Sequence, residues 1–180
     1  MLKKFVCTMF ALAALFSSTA MAGPDKKPGS QSIVDIAMGN PDFSILVDLV
    51  IFAELDGVLA NEGQFTVFAP TNEAFEGLIT VLTDALGADA VDALLSDKAF
   101  ITDVLLYHVT DGRRFANSVV NQNNPKAIEM LNGGFVFSAS ADPIGTLMDG
   151  SSLTGDANIV AGNISASNGV IHIIDAVLVP

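Results

Sequence analysis

The sequence predicts an α+β domain, with N-terminal helices packed on a sheet formed largely by the C-terminal half. Three observations carry that expectation. Between Ser32 and about Tyr107 apolar residues recur mainly at helical spacing. Beyond Gly112 the pattern changes to short runs rich in Val, Ile and Phe, punctuated by the hairpin-turn signals Asn132–Gly133 and Asn168–Gly169. Helices first and strands later argue against alternating βαβ units. With 180 residues and 51% apolar content, the chain can close one core.

Residues 1–22 read as a secretory signal peptide. Lys3 and Lys4 form its basic start, Phe5 to Phe16 its apolar run, and Ala20-Met21-Ala22 its cleavage pattern, placing the cut before Gly23. The run is well short of the roughly 20 residues of a membrane helix. The expected location is therefore periplasmic or extracellular, with no membrane span. Cys7 lies inside this segment, so the exported chain would hold no thiol for a disulfide, a metal or a nucleophile. Residues 23–30 are turn formers and charges, read as a flexible leader, and residues 31–180 as the domain.

Within the domain, Ser32 is placed to cap a helix over Ile33–Met38 that Gly39-Asn40-Pro41 ends. A second helix is expected over Asp42–Leu55. It is apolar nearly all round, which predicts a central, covered element. Phe65–Ala69 is a short strand stopped by Pro70, and Thr71 caps the next helix, with Asn72 and Glu73 in its first turn. Two further helices follow, broken near Gly87 and Ser96. Residues 121–125 form a polar loop. Phe135–Ser138, Asn158–Val160 and Ile164–Ala166 are strand candidates, and Val170–Val179 the longest strand. Val170, His172 and Ile174 share one of its faces, Ile171, Ile173 and Asp175 the other. Asn168–Gly169 is expected to supply the positive-φ positions of the turn before it.

Charge excludes some partners. There are 20 acidic and 8 basic residues, a net of −12; without residues 1–22 it is −14. Such a surface repels nucleic acid and anionic headgroups. With no Trp and one Tyr, stacking platforms for sugars or bases are not expected either.

Catalytic signals are thin. His172 and Asp175 fall on opposite strand faces and make a poor dyad, and no Gly-x-Ser-x-Gly elbow marks a nucleophile. Two separated histidines do not compose a zinc site. Asp149–Asp156 resembles a calcium loop only superficially, with Leu153 at a ligand position and no closing Glu, so a plain turn is expected. Phosphate-binding loops are missing. No catalytic residue, cofactor or metal is expected.

Two segments carry a resemblance. Thr66-Val67-Phe68-Ala69-Pro70-Thr71-Asn72-Glu73-Ala74-Phe75 is similar to the first signature of fasciclin-like domains. Ser167 to Pro180, with Asn168, Gly169, Val170, His172 and Asp175, is similar to the second, and Leu105-Leu106-Tyr107-His108-Val109 to the Tyr-His element between them. The likeness runs from about residue 31 to the C-terminus. It implies a β-sandwich or wedge flanked by helices, and an exported, non-enzymatic role in adhesion to a surface protein or matrix component. Tyr107 and His108 are the implied contact residues, the signature positions being mainly structural. Ala157–Val160 does not reproduce the Asp-Ile element that animal relatives use with integrins, and Arg-Gly-Asp does not occur. The resemblance leaves open carriage of a hydrophobic molecule such as a lipid or carotenoid, for which Met130, Phe135, Phe137 and Met148 are suited, and a minor hydrolase activity.

Overall fold

The computed structural model describes residues 30–60, 63–120, 126–139, 144–150 and 155–180. The expected signal peptide, the leader before Ser30, the 121–125 loop and Ser151–Thr154 of the acidic turn lie outside the described residues.

The helical part comprises α1 (Ile33–Met38), a 3-10 turn at Pro41–Phe43, α2 (Ser44–Phe52), α3 (Asp56–Ala60), α4 (Asn72–Leu86), α5 (Ala88–Ser96) and α6 (Lys98–Leu106); a short α7 (Ala116–Val119) follows later. The strands are β1 (Phe65–Pro70), β2 (Val109–Asp111), β3 (Lys126–Glu129), β4 (Phe135–Ala139), β5 (Thr146–Met148), β6 (Ala157–Ala166) and β7 (Gly169–Ile174). Capping chemistry sets the early boundaries. Ser32 Oγ accepts from Asp35 N at 3.1 Å while the Asp35 carboxylate accepts from Ser32 N at 3.0 Å, a reciprocal capping box. Thr71 Oγ accepts from Ala74 N to start α4.

The strands form one mixed seven-stranded sheet in the order β2-β1-β7-β6-β5-β4-β3. β1 and β7 run parallel, with Phe65 opposite Gly169 through to Pro70 opposite Ile174. The two signature segments are thus adjacent strands at the heart of the sheet. β6 carries two register shifts between Ile159 and Ile164, and bulges bend a strand and increase its twist. The sheet consequently folds over, and β3–β5 face the β1–β7 half.

Both faces of β7 are covered, as its two-sided apolar pattern predicts. On one side Val67 and Ile171 pack with Ile33, Phe43, Leu46, Phe75 and Leu105 of the helical layer. On the other, Phe68 and Ile174 meet Val136, Leu147, Ile159 and Leu178 inside the folded sheet. Burial of each large side chain contributes about 1.5–3 kcal/mol before entropy is subtracted.

Several expectations need correction. The helix expected over Asp42–Leu55 begins at Ser44 and ends at Phe52; Asn40 starts a separate 3-10 turn, and Glu54 turns the chain with φ 58°. Nor is it central. α2 packs against α1, α4 and α6, but Leu46 is its buried residue and Ile51 and Phe52 stand about half exposed. Its sequence is apolar all round, yet the sheet, not this helix, is the element covered on two sides. The final strand stops at Ile174 and β6 is longer. Asp175 ends it: its carboxylate accepts from Asn158 N at 2.7 Å and Asn158 Nδ2 at 3.0 Å. Asn158–Val160 and Ile164–Ala166 are two ends of that one bulged β6.

Asn168–Gly169 is not a positive-φ turn, since neither residue has positive φ. The turn is Ser167–Asn168, and the pair is a tertiary clamp. Asn168 Oδ1 accepts from Ile33 N at 2.9 Å, its Nδ2 donates to Leu59 O, and its carbonyl accepts from Phe65 N at 3.0 Å. A Cβ on Gly169 would lie 2.1 Å from Phe65 O. Glycine is required there by the approach of β1.

Candidate functional site

The first signature is a set of backbone ties. Thr66 is fully buried; its hydroxyl donates to Gly112 O at 2.7 Å and accepts from Arg114 N at 2.8 Å. Phe68 and Ala69 point into opposite cores, Pro70 closes β1, and Phe75 is buried from α4. Asn72 joins α4 to α2: Oδ1 accepts from Ile45 N at 3.1 Å, and Nδ2 donates to Pro41 O and Ser44 Oγ, each at 3.0 Å. Val170 of the second signature is fully buried in β7.

Tyr107 and His108 follow α6, and both are buried, at 3% and 2% exposure. The expectation that they touch a partner directly is therefore corrected. Tyr107 caps α6, and its hydroxyl donates to Phe135 O at 3.0 Å, with Asp149 O 3.4 Å away. Burial, and then the Asp149 charge, raise its pKa. His108 Nδ1 lies 2.7 Å from Val104 O, which can only accept, and Nε2 lies 2.9 Å from Leu178 N, which can only donate. These partners dictate a neutral ring protonated on Nδ1. Burial pulls its pKa down to about 4, against a smaller upward pull from Val104 O. His108 is a clamp between the end of α6 and the C-terminal tail, whose next amide, Val179 N, bonds the Asp149 carboxylate at 2.8 Å.

His172 is also fully buried. Nε2 donates to Arg114 O at 2.8 Å, while Nδ1 has no partner and faces Gly162, where a Cβ would stand 2.8 Å from it. Phe68 stacks on the ring at 5.7 Å between centroids. Burial lowers its pKa, and the Arg114 carbonyl opposes this. Asp175 is committed to Asn158 on the other side, so the structure does not bring His172 and Asp175 together. Among the described residues no three His, Cys, Asp or Glu side chains gather at metal-binding distance.

Two features emerge beyond the signature segments. On the outer face of β4, Phe135 and Phe137 stand 51% and 48% exposed while Val136 and Ser138 between and beyond them are buried. Phe137 lies opposite Met148, and Leu131 in the preceding turn and Val160 of β6 are also exposed. This face does not enclose the hydrophobic site expected from Met130, Phe135, Phe137 and Met148: Met130 turns inward, and both Phe side chains face solvent. Strand alternation was the readable signal for it.

The second feature is a cavity of about 180 Å³ among α2, α4, α5 and α6, lined by residues including Leu82, Val91, Leu94, Phe100 and Val104. His108 is the polar side chain in its wall.

Comparison with known proteins follows this architecture. The fasciclin domain family model matches residues 41–180. Protein sll1483 of Synechocystis is 36% identical over 84% of this chain and 74% of its own length. Immunogenic protein MPB70 of Mycobacterium bovis is 30% identical over 97% of this chain and 80% of its own. A solved domain pair from the insect cell adhesion molecule Fasciclin I superposes with a TM-score of 0.67 at 15% identity. That match covers 84% of this chain, which spans about half (52%) of the solved one. None of these three is named for a catalytic activity.

Proposed function

Since the chain belongs to the fasciclin domain family, we propose that it works as an exported, non-enzymatic interaction module that adheres to a surface protein or matrix component. Export rests on the signal-peptide character of residues 1–22. Among the described residues no helix is long and apolar enough to cross a membrane. The related fold of an insect cell adhesion molecule supports the adhesive reading.

The observation that carries it is the exposed pair Phe135 and Phe137 on β4. Exposed aromatic side chains grouped on one face are usual anchors of protein contacts. Tyr107 serves this face from beneath, since its hydroxyl holds the Phe135 carbonyl. The Tyr-His element thereby contributes to contact by support. Both histidines are buried and held by backbone groups, so neither ring is presented to solvent.

The test is binding of the purified protein to washed envelopes of the host cell. Phe135→Ser combined with Phe137→Ser should weaken binding at least tenfold and leave the melting temperature within a few degrees, because both side chains face water. Undiminished binding by this variant would move the contact elsewhere.

A further inference from the structure

We propose that the cavity among α2, α4, α5 and α6 is a binding site for one compact hydrocarbon group: an aromatic ring or a short acyl or branched chain. The site is separate from the β4 contact face and does not depend on it.

Wall chemistry sets the ligand class. The side chains facing the cavity are aliphatic or phenyl, apart from His108. Both ring nitrogens of His108 are occupied, Nδ1 by Val104 O and Nε2 by Leu178 N. The wall therefore offers neither donor nor acceptor, and a ligand polar atom placed inside would lose its hydrogen bonds to water without replacement.

Size narrows the class further. An engineered cavity of about 150 Å³ lined by Leu, Ile and Phe stays dry and binds benzene. The cavity here, about 180 Å³, is of that order, below the roughly 300–1,000 Å³ of pockets for drug-sized ligands. It accepts one ring or a short chain and is too small to enclose a long polyene.

Access follows from the helices around it. Leu86, at the end of α4, lines the cavity yet is 55% exposed, so it marks the rim. The nine-residue α5 forms another wall and is joined to α4 through Gly87 alone. Val179 closes the side toward the C-terminal tail, held there by the Asp149 carboxylate at its own amide and by His108 at the preceding one.

The experiment titrates the purified protein with benzene, and in parallel with phenol, following Leu and Val methyl signals by NMR and the thermal melt. Saturable benzene shifts should concentrate on Leu82, Leu94, Leu95 and Val104, with a melting temperature that rises with benzene. Phenol should bind at least tenfold more weakly. Val104→Phe fills the void and should reduce benzene affinity at least tenfold; should that variant not fold, Leu94→Trp on the half-buried wall of α5 replaces it. The proposal is overturned by any of four results. These are no methyl shift up to the solubility of benzene, shifts spread equally over the core inside the folded sheet, phenol binding as tight as benzene, or a filled variant that binds benzene unchanged.

Discussion

Replacing His108 by Ala separates the two roles its motif could have. In the structure the ring is the partner of Val104 O, a last-turn carbonyl of α6, and of Leu178 N in the tail. The substitution leaves both buried groups unpaired, at about 1–3 kcal/mol each, and removes a buried ring beside an existing cavity. Since the two penalties overlap as the site relaxes, the total is about 3–5 kcal/mol. For a domain of this size that lowers the melting temperature by roughly 6–20 °C. Urea unfolding followed by circular dichroism should show the midpoint falling with an unchanged slope, while envelope binding per folded molecule persists. A loss under about 1 kcal/mol, accompanied by weakened binding, would refute the clamp and return His108 to a contact role.

Acid should act through the same ring. His108 drops from an ordinary 6.5 to about 4 on folding, because burial disfavours the cation. The unfolded chain therefore takes its proton first; stability is complete above about pH 6.5 and declines toward pH 4, by about 3 kcal/mol from this group. His172, shifted the same way by burial, adds to the slope. In urea melts the difference between wild type and His108→Ala should shrink across that window; a constant difference would contradict the assignment. At the second signature, Asn168→Gly would be nearly neutral in a positive-φ turn, but here it removes bonds to Ile33 N and Leu59 O and should cost about 2–4 kcal/mol. Gly169→Ala places a methyl against Phe65 O and should destabilise by several kcal/mol in the same assay.

The long elements were legible because local chemistry marks them: Ser32 and Thr71 as caps, Gly87 as a break, and the Val- and Ile-rich run of β7. Strands of three or four residues, such as Val109–Asp111, Lys126–Glu129 and Thr146–Met148, are too short to show a period. The bulged middle of β6, with Gly162 and Asn163, resembles a loop between two strands. The fate of Tyr107 and His108 was hidden for another reason. Their partners Phe135 and Leu178 lie 28 and 70 residues onward, and no local pattern announces such pairings. The cavity is illegible for the same cause, since it is an outcome of how four helices meet.

The most direct measurement is the long-range nitrogen–proton NMR spectrum of His108 in ¹⁵N-labelled protein, recorded from pH 8 to pH 6. A ring clamped between Val104 O and Leu178 N shows the Nδ1–H neutral tautomer throughout, with signals that do not move. A ring titrating near 6.5, or carrying its proton on Nε2, would mean that it is free to meet solvent or a partner.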